Sequence, residues 1–298
     1  MQALWMLLGS AFFATMGVCV KFASAYFNSY ELVFYRGVVG MVFLAIIARQ
    51  KKVSLLTQYP GMHVWRSAVG VISLTAWFYA IAHLPLATAM TLNYMSGVWV
   101  AAFLVSGSLL NWSAQEQRSA WTQGPLALTV LTGFAGVVMM LRPTIEQNQI
   151  FAGLIGLMSG FVAAFAYMQV MALGRLGEPE TRTVFYFAIG TTLAGAVGMG
   201  SAGVSEWNGS HALWLLPLGL FASLGQLCMT RAYSQGATLV VANLQYSGIV
   251  FAALYSLLLF GDNIPLIGWA GMALILGSGM VATLLRARAA PHAPAEEH

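Results

Sequence analysis

The chain is 298 residues long, 59% hydrophobic and only 7% charged. A soluble domain carries about 25% charged residues to wet its surface, so a mean hydropathy of +0.77 excludes a water-exposed globule and puts most of the chain in lipid. The net charge of +4 is no sign of nucleic-acid binding, because the basic residues sit between apolar runs, where membrane topology uses them.

Ten apolar runs follow one another, at about 3–24, 31–48, 64–83, 86–109, 124–141, 151–173, 183–203, 212–234, 237–260 and 264–285. The first lacks the basic n-region of a signal peptide and exceeds a usual h-region, so it reads as a retained span. The runs do not alternate as barrel strands would, and in hydrocarbon only a helix satisfies its own backbone. An all-α integral membrane fold of ten transmembrane helices is therefore expected. Arg49, Lys51, Lys52, Arg66, Arg118, Arg175, Arg182, Arg231, Arg286 and Arg288 share one side if both termini are cytoplasmic, and only Arg142 falls clearly on the other. Residues 287–298 read as a disordered cytoplasmic tail. Cys19 and Cys228 lie inside apolar runs and read as small buried hydrophobes.

A weak internal repeat divides the chain. At a shift of 152 positions Ala80 meets Ala232, Leu92 meets Leu244, Tyr94 meets Tyr246, Val98 meets Val250 and Ala101 meets Ala253. Asn93 meets Gln245 and Trp99 meets Phe251, which are chemically similar pairs. Two halves of five spans, 1–142 and 150–286, must enter the bilayer in opposite senses, because five is odd. Inverted repeats of this kind are typical of secondary transporters.

Three segments carry a family likeness: ELVFYRG (Glu31 to Gly37), YAIAHLPLATAMTLN (Tyr79 to Asn93) and the stretch from Arg231 to Asp262. In this order, within ten spans and two halves, the chain resembles the EamA branch of the drug/metabolite transporter superfamily. The resemblance implies two EamA repeats, cytoplasmic termini, a bacterial inner membrane and alternating access around a central cavity. Export of a small polar or amphipathic metabolite is the leading expectation, such as an amino acid, a nucleoside-like compound or a vitamin. Uptake of the S-adenosylmethionine or riboflavin type is the alternative. Small multidrug-resistance relatives of the superfamily use a Glu in the first helix for proton exchange. This chain has no Asp or Glu from Met1 through Tyr30, which departs from that pattern.

Polar side chains are costly in a bilayer, so their distribution marks candidate sites. The fifth and tenth spans carry few of them and read as scaffold. Candidate cavity residues are Trp77 in the third span, Asn93 and Tyr94 in the fourth, and Gln169 in the sixth. Gln226 in the eighth joins them, with Asn243, Gln245 and Tyr246 in the ninth. Amides there would orient a polar substrate and aromatic rings would stack on a flat or cationic one. The alternative for each amide is a hydrogen bond to a neighbouring helix. Lys21 and Arg36 are candidate counter-charges for a substrate carboxylate or phosphate. Against this, Lys21 can snorkel, and Arg36 can pair with Glu31 or a helix carbonyl. The dispersed histidines and acids give no catalytic or metal cluster, so neither enzyme chemistry nor a cofactor is expected. A pore of several shorter chains fits a single-chain inverted duplication poorly. The expected partners are the lipid bilayer and a small-molecule substrate, with the chain a monomer or homodimer.

Overall fold

The computed structural model describes residues 2–100, 102–103, parts of 125–139, 149–206, 209, 211–236, 238–261 and 263–289. Among these, the regular structure is helical: α1 (Gln2–Ala23), α2 (Ser29–Gln50), α3 (Pro60–His83), α4 (Leu86–Tyr94), α5 (Ile150–Arg175), α6 (Glu180–Ala202), α7 (Leu215–Gln235), α8 (Thr238–Gln245), α9 (Ser247–Leu259) and α10 (Leu266–Ala289), with a 3₁₀ turn at His211–Trp214 leading into α7. By length and composition, α1, α2, α3, α5, α6 and α7 can each cross a bilayer. Much of the expected fifth span lies outside the described residues, as do Arg118, Arg142 and residues 290–298.

Polarity is arranged inside out. Leu4, Val42, Ile72, Leu154, Leu193 and Leu258 face outward, while Arg66, Asn93, Gln226 and Gln245 are buried. Lipid solvates the apolar faces, so polar groups must find partners in the interior. Helix boundaries follow local chemistry. Asn28 and Glu31 form a reciprocal capping box at the start of α2, Pro60 opens α3 at a position where a missing N–H costs nothing, and Pro179 precedes α6.

Packing between the halves is reciprocal. The heaviest contacts join α2 to α6, then α1 to α7 and α3 to α5 equally, with lighter ones from α4 to α5 and from α9 to α1. Exchanging α1, α2, α3 and α4 for α5, α6, α7 and the α8–α9 pair maps these contacts onto one another. Small residues permit the closest of them: a Cβ added to Gly37 on α2 would lie 2.6 Å from Thr192 N on α6.

The helices expected as the fourth and ninth spans are interrupted at matching positions of the repeat. Met95 separates α4 from a continuing helix and Tyr246 separates α8 from α9, each with ψ of −17° instead of the roughly −42° of an α-helix. Here the two interrupted helices lock together. A Cβ on Gly97 would sit 3.0 Å from Tyr246 Oη, and one on Gly248 would sit 2.5 Å from Tyr94 Oη. Each tyrosine thus fills the gap left by the other half's glycine.

Polar clamps join the halves at both ends. At the basic end, where α2 and α5 finish and α3 and α6 begin, α5 closes in a Schellman turn through Gly177 (φ 76°), with Glu178 N donating to Leu173 O at 3.1 Å. The turn delivers the buried Glu178 carboxylate to Thr57 Oγ1 (2.8 Å), Arg182 Nη1 (3.0 Å) and His63 Nε2 (3.6 Å). At the opposite end Glu31 accepts from Ser205 N (3.0 Å) and Ser205 Oγ (2.5 Å), and Asn28 Nδ2 donates to Gly203 O (3.1 Å).

Candidate functional site

The reciprocal helices line a central cavity of about 40 Å³. α3 supplies one wall, because Arg66, Gly70, Ser73 and Trp77 recur at i, i+4, i+7 and i+11 on a single helical face. α4 adds Asn93 and Tyr94 just before its interruption, α5 adds Tyr167, α6 adds Phe187, α7 adds Gln226 and α1 adds Phe13. A metabolite pocket occupies roughly 300–1,000 Å³, so this conformation is contracted and admits little more than a chemical group or a water.

The polar groups in the wall differ in how fully they are partnered. Asn93 Nδ2 donates to Ser159 Oγ at 3.1 Å, and Ser73 Oγ donates to Ser159 O at 2.8 Å. Arg66 Nη2 donates to Gln226 Oε1 at 3.3 Å, and its guanidinium lies 3.8 Å from the centre of the Phe187 ring. Arg66 Nε and Nη1, Trp77 Nε1 and Tyr94 Oη are buried with no hydrogen-bond partner among the described residues.

Of the sequence candidates, Trp77, Asn93, Tyr94 and Gln226 share this cavity. Gln245 stands one layer behind it. Its Oε1 accepts from Tyr233 Oη at 2.9 Å, while its Nε2 donates to Tyr167 Oη at 3.3 Å and Ser96 Oγ at 3.4 Å. It therefore steadies Tyr167, whose ring lines the wall. Tyr246 packs against Gly97, and the half-buried Gln169 is not part of the lining. Asn243 lies in α8, but its side chain is outside the described residues.

The charged candidates separate. Lys21 Nζ donates to Leu84 O at 2.7 Å and Ile81 O at 3.0 Å, capping the carbonyl end of α3 away from the cavity lining. Glu31 forms no ion pair with Arg36, because the capping box and Ser205 occupy its carboxylate. Arg36 is 4% exposed and lies 5.1 Å from the Phe187 centroid, so it shares that ring with Arg66. The α3 sequence read Arg66 as a topology marker at a span edge. Its spacing of four, seven and eleven from Gly70, Ser73 and Trp77 was the signal that it faces inward. No group of three or more His, Cys, Asp or Glu side chains able to hold a metal occurs among the described residues.

Comparison with known proteins matches this architecture. The EamA-like transporter family matches residues 1–114. The chain is 32% identical over 274 residues to the pseudopaline exporter CntI of Pseudomonas aeruginosa (strain UCBPP-PA14), covering 90% of this chain and 91% of that one. It is 24% identical to a riboflavin transporter of Rhizobium johnstonii over 93% of this chain and 89% of the relative. A crystal structure sharing 19% identity superposes with a TM-score of 0.73 over 97% of this chain and 98% of that one, a likeness of fold. With its reciprocal helices around a buried polar cavity, this chain belongs to the EamA-like transporter family.

Proposed function

We propose that the chain exports a small polar metabolite across a bacterial inner membrane by alternating access, with both termini cytoplasmic and no enzymatic step. The observation that carries this is the reciprocal packing of α1–α4 against α5–α9 around one contracted cavity, with an interrupted helix from each half meeting beside it. A cavity this small must widen to take a metabolite, and clamps at opposite ends of the bundle, around Glu178 and Glu31, offer two places to open alternately. On this reading 1–142 and 150–286 are the two rocking units. Cytoplasmic termini place the Glu178 clamp on the cytoplasmic side, consistent with the basic residues there. Export is preferred because the relative of 32% identity is an exporter. The likeness to an S-adenosylmethionine uptake transporter of Rickettsia bellii, 22% identical over 87% of this chain, supports uptake as the second reading.

Purified protein reconstituted in proteoliposomes loaded with mixed amino acids, nucleosides and vitamins tests this. Release of one class, abolished by Asn93→Ala or Gln226→Ala in folded protein, is the expected result. Release unaffected by either change would remove the central cavity from the pathway.

A further inference from the structure

Arg66 and Arg36 are 2% and 4% exposed, and neither forms an ion pair with a carboxylate among the described residues. The buried Glu178, at the basic end of the bundle and outside the cavity lining, is already shared between Thr57, Arg182 and His63. A buried guanidinium is expensive unless it is paired and hydrogen-bonded. Arg66 makes one side-chain bond, at 3.3 Å, and Nε and Nη1 carry three of its five N–H donors without a partner. The fold holds the group there deliberately. Arg66 lies forward along α3 over Gly70, where an added Cβ would collide with Nη1 and come within 2.8 Å of the Phe187 ring.

The other unpartnered polar atoms in the lining are Trp77 Nε1, a donor only, and Tyr94 Oη, which can donate. The free capacity of the wall is therefore donor-rich and cationic at one end. We infer that this cavity recognises a carboxylate of the transported molecule, bound by Arg66 beside Gln226, with Arg36 adding positive field across Phe187 and the rest of the molecule running toward Trp77 and Tyr94. A planar monoanion matches one guanidinium fork. A phosphate dianion fits less well, because Arg36 is not part of the lining and, among the described residues, neither is a lysine or a glycine-rich loop. The inference rests on the transport reading above and names the chemistry of its substrate.

The test uses Arg66→Met, which keeps side-chain volume, with the exposed Arg49→Gln as control. Thermal unfolding in detergent is followed with indole-3-acetate, hippurate and free amino acids, each beside the carboxamide that replaces its carboxylate, and with phenyl phosphate. Acids are expected to stabilise the wild type and Arg49→Gln where the amides do not, and Arg66→Met is expected to bind them about a hundredfold more weakly. Without ligand, Arg66→Met is expected to melt no lower than the wild type, because it removes an uncompensated buried charge. A clear drop in melting temperature would make Arg66 a structural residue and overturn the inference. So would a response to phenyl phosphate alone, or to none of the acids. In proteoliposomes, equal movement of acid and amide by both wild type and Arg66→Met would leave transport standing and remove anion recognition. If no probe of either kind moves, the transport reading falls with it.

Discussion

Replacing Glu178 by alanine should weaken the basic-end clamp by an amount its surroundings allow to be worked out. The carboxylate is buried, accepts from Thr57 Oγ1 at 2.8 Å and Arg182 Nη1 at 3.0 Å, and has His63 Nε2 at 3.6 Å, beyond a strong hydrogen bond. Hydrogen bonds to a charged group contribute about 1.5–3 kcal/mol each. Arg182 recovers part of its loss, since its side chain is 16% exposed and Nε keeps the Ser54 carbonyl at 2.8 Å. Thr57 and His63 recover less. The expected cost is about 3 kcal/mol, or roughly 6–12 °C in melting temperature for a chain of this size. Glu178→Gln keeps an acceptor for Thr57 and should lose about half as much. Glu180→Ala, two residues on, loses a contact from Gln235 Nε2 at 3.2 Å and a favourable charge in the first turn of α6, together about 1 kcal/mol, and should shift melting by about 2–4 °C at most. Tryptophan fluorescence during heating in detergent reads all three. Equal shifts for Glu178→Ala and Glu180→Ala would refute the clamp.

Three further outcomes follow from the site geometry. Gly248→Val should prevent the interrupted helices from meeting, because its Cβ would lie within 2.5 Å of Tyr94 Oη, and Tyr94→Ala in the same chain should restore folding, read as monodisperse elution in detergent. Gln245→Leu leaves the Tyr233 and Tyr167 hydroxyls short of their partner and should cost about 1–3 kcal/mol in thermal unfolding; no change would show that the ninth-span amide does not steady the wall. Gly70→Ala gains about 1 kcal/mol of helix propensity against crowding of the Arg66 guanidinium and the Phe187 ring, so carboxylate binding by calorimetry should weaken while melting temperature changes little. A parallel loss of both would mean the glycine serves helix packing alone.

Legibility differed by residue. Trp77, Asn93, Tyr94 and Gln226 could be nominated because polar and aromatic groups in an apolar run are rare and must point somewhere wet or partnered. Which of those two each one does is set by residues far along the chain. Gln245 looked the same as Gln226 in sequence, yet it meets Ser96, 149 positions away, and Tyr167 behind the wall, whereas Gln226 meets Arg66 across 160 positions inside it. Arg66 was hidden by its place near a span edge, where an arginine usually serves topology. Glu31 was available on paper to Arg36, but its own capping box and Ser205 hold it at the end of the bundle.

The sequence by itself determined that this chain lives in lipid, that its regular structure is helical, and which family it resembles. Transfer from water to hydrocarbon is nearly additive along a run of residues, and backbone satisfaction in a bilayer leaves few alternatives to the helix. The reciprocal contacts between halves, the tyrosine-for-glycine exchange at the two interruptions and the buried guanidinium facing the cavity were decided only by tertiary structure. Each depends on which faces of distant helices meet, and a hydropathy pattern carries no record of that.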